Sequence, residues 1–152
     1  MSPTKIRVSV VTERVSWIRK MLNSIQELPT DTYEYFIADS RNVAAAESYL
    51  RRGLEALLDL GRHILAKGFG QSVTEYKQIG DKLVELAVLT EEQGKLLRKI
   101  AGYRNRMVHF YQEVTQKELY RLCTQNIQEV EIILEELLSW MRNHPQKMDQ
   151  QL

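Results

Sequence analysis

Cysteine is almost missing: Cys123 is the one thiol among 152 residues. That excludes an intrachain disulfide and suits a reducing compartment, so a cytoplasmic location is expected. Cys123 falls on an apolar stripe and reads as buried filler rather than as a reactive thiol. Long apolar runs are missing too, with nothing near the roughly 18 residues a membrane span needs. Ser9, Thr12, Glu13 and Arg14 interrupt the N-terminal stretch, so it lacks a signal peptide's apolar core. Charge of one sign is also lacking: 21 basic residues face 20 acidic ones, for a net +1. No global field draws the chain to nucleic acid, and any RNA contact must come from a local cluster of arginines. The three histidines do not suggest a metal site, since no two stand three to five residues apart and no His-Glu-x-x-His occurs.

What is present is enough apolar residue, 43% of the chain, to bury one domain's core. Mean hydropathy is −0.38. The expected organisation is a single helical domain over 1–145 and a polar, frayed tail over 146–152. Val8, Val11, Val15, Ile18, Leu22 and Ile25 form a heptad-like stripe and predict a helix from about Lys5 to Leu28, stopped by Pro29. A long helical segment is expected over about 32–67, most securely from Ser40, with Val43, Ala46, Leu50, Leu54, Leu57 and Ile64 on one face. Gly53 and Gly61 weaken that helix by about 1 kcal/mol each relative to alanine, and close approach of another helix is the expected return. Three capping boxes follow, Ser72–Glu75, Thr90–Gln93 and Thr115–Glu118, each predicting a helix start. The last helix carries Leu119, Cys123, Ile127, Val130, Leu134, Leu137 and Met141, and should end near Pro145. No strand pattern emerges. The fold class is therefore all-α, an up-and-down bundle of about five helices.

The informative stretch is Gly102–Tyr111. Three-and-four spacing through Leu97, Ala101 and Val108 calls for an apolar residue at 104, and Arg104 stands there. A guanidinium in an apolar seam costs several kcal/mol unless an anion meets it. That anion is either a carboxylate of the chain, with Asp39, Glu47 or Asp59 as candidates, or a ligand's phosphate. On a straight helix Arg104 and His109 stand about 140° apart in azimuth. They reach one small group only if the helix loosens near Val108 or a second copy of the chain contributes.

Arg104-Asn105, then His109 with four residues between it and the Arg, and then Tyr111 resemble the signature of HepT toxins of the HEPN superfamily. Asp59-Leu60-Gly61-Arg62-His63-Ile64, Tyr76 with Ile79, and Lys99–Asn105 extend the likeness across about residues 35–142. The resemblance implies a two-fold dimer and metal-independent RNA cleavage with no cofactor. Arg104 would stabilise the phosphate and His109 would move the proton. Asn105 would orient one or the other. The chemistry fits, because imidazole exchanges a proton near neutral pH and a guanidinium matches phosphate oxygens. It also implies that Tyr111 accepts AMP from a partner nucleotidyltransferase, the MntA antitoxin. The chain itself has no glycine-rich phosphate loop, so it is not that transferase. Arg106, Arg51, Arg52 and Arg62 are possible RNA contacts, against the plainer reading of a solvated face. Tyr103 and Phe110 are candidates for base stacking, or simply for packing. The rival reading is a non-catalytic HEPN module that docks a nucleotidyltransferase or binds nucleotide. His63 and His144 read as ordinary side chains.

Overall fold

The computed structural model describes residues 4–109 and 114–152. Helix α1 (Val8–Gln26) buries Val11, Val15, Ile18, Leu22 and Ile25, the stripe that the sequence shows. It starts later than Lys5 because residues 5–7 are used otherwise. Ile6 forms a parallel bridge with Met148, its N–H donating to the Lys147 carbonyl at 2.8 Å while the Asp149 N–H donates to the Ile6 carbonyl at 2.9 Å. Asp149 Oδ1 then accepts the Val8 N–H at 2.9 Å, serving one of the donors that a helix start leaves open. The C-terminal tail is thus packed rather than frayed. Ile6 is fully buried and Met148 is nearly so, which requires their backbone groups to find partners.

The long segment at 32–67 is divided. Helix α2 (Tyr33–Ile37) is capped by Thr32, which accepts the Tyr35 N–H. Helix α3 (Ser40–His63) is capped by Asp39, held in extended conformation and accepting the Arg41 N–H at 2.9 Å. A cap in mid-segment ends one helix and begins the next, a break that apolar periodicity does not reveal. Past His63 the helix widens into a π-turn, Ile64–Gly68, whose Ile64, Leu65 and Gly68 are buried. Gly53 and Gly61 do mark close approaches. A Cβ on Gly53 would stand 3.4 Å from the Met21 Cβ of α1, and one on Gly61 would stand 2.8 Å from Ile79 Cγ2.

Helix α4 (Tyr76–Glu85) begins after Glu75, which makes no side-chain cap, so the expected box at Ser72–Glu75 does not form. Helix α5 (Glu91–Val108) begins with the expected reciprocal box between Thr90 and Gln93. Helix α6 (Gln116–Arg121) is capped by Thr115, but the Glu118 carboxylate turns instead to Arg106. A π-turn, Leu122–Asn126, joins α6 to α7 (Ile127–Arg142). There the Thr124 hydroxyl donates back to the Tyr120 carbonyl at 2.8 Å, and such back-bonding opens a helix locally. Counting α6 and α7 as one rod, the described residues form a bundle of five helical rods with the short α2 beside them. The core joins all of them, and no polar residue among those described is buried.

Candidate active site

The apolar line into the key stretch climbs out of the core. Leu97 and Ala101 are fully buried, the Arg104 side chain is 25% exposed, and Val108 is 42% exposed. Arg104 therefore sits at the lip of the bundle rather than within its oil, and its charge keeps some contact with water. Helix α5 stops at Val108, and His109 takes an extended conformation (φ −104°, ψ 101°). The loosening that the azimuth argument requires is a helix end. It frees His109 from the α-helical direction it would otherwise follow.

The consequence is one open cleft of about 400 Å³ lined by Arg62, Thr74, Glu75, Tyr76, Lys77, Arg104, Asn105 and His109. Three residues of the α5 end meet the start of α4 and one arginine of α3. A larger groove of about 640 Å³ runs along α1 past Val15, Arg19, Asn23 and Leu138. It holds no histidine and no acid–base pair suited to this chemistry, so the smaller cleft is the candidate site.

Within the cleft the partner of Arg104 is not one of the three carboxylates proposed from sequence. Asp39 is taken by Arg41 and by its cap, and Glu47 lines a separate cleft with Met107 and Val108. Asp59 accepts from the Tyr76 hydroxyl at 2.9 Å and lies 3.5 Å from Arg62. Arg104 instead stands 3.8 Å from Glu55, whose carboxylate is more closely paired with Arg51 at 2.7 Å. Glu47, Arg51, Glu55 and Asp59 recur every four residues and form one polar stripe on α3. Asn105 Oδ1 accepts from Arg104 Nη1 at 3.3 Å, so Asn105 steadies the guanidinium. The Arg104 and Arg62 guanidinium carbons each lie 4.6 Å from the centroid of the Tyr76 ring. Burial, and then the hydrogen bond to Asp59, push the Tyr76 hydroxyl's pKa upward, so it stays protonated and donating. Arg51, Arg62 and Arg104 outnumber Glu55 and Asp59 by one positive charge.

The other candidate contacts divide. Arg62 lines the cleft, with Nη2 donating to the Thr74 carbonyl at 3.1 Å. Arg51 does not line it but pairs with Glu55, the carboxylate nearest Arg104, while Arg52 is exposed and does not line it either. Arg106 faces elsewhere and forms a two-pronged ion pair with Glu118 at 2.5 and 2.8 Å, tying α5 to α6. Tyr103 is half-buried against the core, with Lys99 5.8 Å from its ring centroid. Phe110 and Tyr111 lie outside the described residues. Sequence reasoning missed Glu55 and the part played by Tyr76. The four-residue repeat on α3 was available as a signal for Glu55, but nothing local announces a ring shared by two arginines. Among the described residues no group of three His, Cys, Asp or Glu is placed to hold a metal, and no helix is long and apolar enough to cross a membrane.

Comparison with known proteins places this site in context. The family model for HepT-like ribonucleases matches residues 18–137. The tRNA nuclease HepT of Aphanizomenon flos-aquae is 22% identical over 139 residues, 91% of this chain and 94% of that one. Among solved structures, a tri-AMPylated HEPN toxin of Shewanella oneidensis in complex with its MNT antitoxin superposes with a TM-score of 0.77. It is 20% identical, over 86% of this chain and 97% of that one. YutE of Bacillus subtilis, a cytosolic protein of unknown function, superposes with a TM-score of 0.73 at 21% identity, over 90% and 91% of the two chains. With four-fifths of its length inside the family match and its Arg, Asn and His gathered in one cleft, the chain belongs to the HepT-like ribonuclease family.

Proposed function

We propose that this chain is a metal-independent endoribonuclease toxin, restrained by a nucleotidyltransferase antitoxin that attaches AMP to Tyr111. The observation that carries the catalytic part is the cleft shared by Arg104, Asn105 and His109 within a single chain. His109 takes the proton of a ribose 2′-hydroxyl, and the oxygen attacks the adjacent phosphorus. The bond to the 5′ oxygen breaks, that oxygen takes up a proton, and a 2′,3′-cyclic phosphate remains. Arg104 binds the non-bridging oxygens as charge gathers on them, and Asn105 keeps it aimed. DNA lacks the attacking hydroxyl and is not a substrate. With one net positive charge in the cluster, binding falls with added salt along a shallow slope.

Support for the regulatory part comes from relatives. The Shewanella oneidensis toxin carries AMP in complex with an MNT antitoxin. Tyr111 stands two residues after His109 in the sequence, and AMP there would add a phosphate's charge and a nucleoside's bulk to the segment that follows the catalytic histidine. Because α5 ends at Val108, a second copy is not required to bring Arg104 and His109 to one cleft. A homodimer is a separate proposal, checked by light scattering of the purified chain.

The test incubates purified protein with end-labelled tRNA and mRNA in EDTA. Expected are cyclic-phosphate ends from the wild type and none from Arg104→Ala or His109→Ala, with helical circular dichroism retained. Cleavage by both variants at the wild-type rate, or a strict need for added metal, would defeat the catalytic assignment. Co-expression with the nucleotidyltransferase should add the mass of whole AMP units, and Tyr111→Phe should abolish that gain.

A further inference from the structure

Arg104 is steered by few polar contacts. Glu55 is 3.8 Å away and already engaged with Arg51, and the bond from Arg104 to Asn105 is long at 3.3 Å. Its Nε is buried and the Nε–H finds no acceptor among the described residues, and the same holds for Nε of Arg62. Against both guanidiniums lies the Tyr76 ring, whose centroid is 4.6 Å from each guanidinium carbon. A ring face is negative at its centre and attracts a cation, and the attraction grows as water is excluded. The ring is itself fixed at its far end, where its hydroxyl donates to Asp59 at 2.9 Å. Arg62, tied to the Thr74 carbonyl and beside Asp59, has little freedom left.

We infer that Tyr76 is the positioning residue of this site: its ring, braced by Asp59 and Arg62, holds the Arg104 guanidinium toward the RNA phosphate. This rests on the ribonuclease reading for what Arg104 binds. Tyr76 touches no reacting atom. Its work is to spare Arg104 the loss of freedom that binding a phosphate would otherwise demand.

The experiment measures cleavage of RNA and, separately, binding of a fully 2′-O-methylated oligonucleotide of mixed sequence, which cannot be cut. Tyr76→Leu removes the ring and should weaken binding about tenfold, with a parallel fall in kcat/KM. Tyr76→Phe keeps the ring, loses the Asp59 bond and should weaken both about two- to threefold. Because Tyr76 acts through Arg104, the double variant Tyr76→Leu/Arg104→Ala should bind no worse than Arg104→Ala alone. Melting curves recorded beside each variant identify loss by unfolding, a loss that Tyr76→Phe should not show. Wild-type behaviour of Tyr76→Leu, or losses that multiply in the double variant, would overturn the inference. A wild type that binds the oligonucleotide but cuts no RNA would sink the ribonuclease reading while the binding arm still decides the role of Tyr76. A wild type that does not bind overturns both.

Discussion

Substituting alanine for Gly80 pits a local preference against a tertiary contact, and the two have opposite signs. In an exposed helix, Gly→Ala stabilises by up to about 1 kcal/mol. Gly80, however, is the point where α4 crosses α5. A Cβ there would stand 2.6 Å from the Gly94 carbonyl oxygen and 3.4 Å from the Arg98 nitrogen. Those atoms are backbone, so no side chain can rotate away. To reach an ordinary contact of 3.4 Å the helices must part by about 0.8 Å. Overpacking costs about 1–3 kcal/mol, and against backbone that cannot rotate away the upper part of that range applies, about 2–3 kcal/mol, leaving a net loss of about 1–2 kcal/mol after the helix gain. For a chain of this size that lowers Tm by about 3–6 °C. Gly102 is the control: its Cβ would meet only Lys77 Cε, at 3.9 Å, so Gly102→Ala should raise Tm by about 2–4 °C. Thermal unfolding followed by circular dichroism at pH 7 separates the two. Tyr76 is one turn before Gly80 on α4 and Arg104 is on α5, so Gly80→Ala should also reduce RNA binding. A Gly80→Ala protein that melts at or above the wild-type temperature would show that the crossing is looser than the geometry says.

The remaining predictions concern charge. His63 accepts the Arg7 N–H through Nε2 at 3.1 Å, and burial, then Lys67, Arg14 and Arg7, lower its pKa. The unfolded chain therefore binds more protons. The stability contributed is full above the ordinary histidine pKa and is lost as pH falls from about 6.5 through the lower folded value. Urea titrations at pH 7.5 and 5.5 should show that drop, and His63→Gln should flatten it; an unchanged drop would assign it to other groups. Arg106→Ala removes the two-pronged pair with Glu118 and should lower Tm modestly, by an effect of about 1 kcal/mol given the exposure of the arginine, without changing RNA affinity. A large affinity loss would return Arg106 to the RNA contacts. Glu55→Gln removes the carboxylate near Arg104 and should tighten binding of the methylated oligonucleotide about two- to fivefold, while weaker binding would make Glu55 a necessary support.

How far a sequence can be read depends on where each interaction has its partners. The apolar stripes of α1 and α7, the Thr90–Gln93 box and the closing of α7 near Pro145 were legible, because period and cap are set within a few residues. The cap at Asp39 was not, since the same residue types continue on both sides of it. The box at Ser72 failed because a hydroxyl and a carboxylate at the right spacing form a cap only where a helix begins, and α4 begins after Glu75. The tail was expected to be polar and loose, yet Met148 finds a place beside Ile6, a pairing between residues 142 apart that no local pattern encodes.

The sequence by itself determined the helical class, the family signature and the chemistry available at Arg104, Asn105 and His109, because residue type fixes what a side chain can bind or exchange. Tertiary structure alone decided that α5 ends at Val108 and releases His109. It also decided that Glu55 rather than Asp59 approaches Arg104, and that Tyr76 lies against the two guanidiniums. Those outcomes depend on the packing of α4 and α5 against each other and on α3, and the Gly80–Gly94 crossing that helps set it joins residues that are strangers in the sequence.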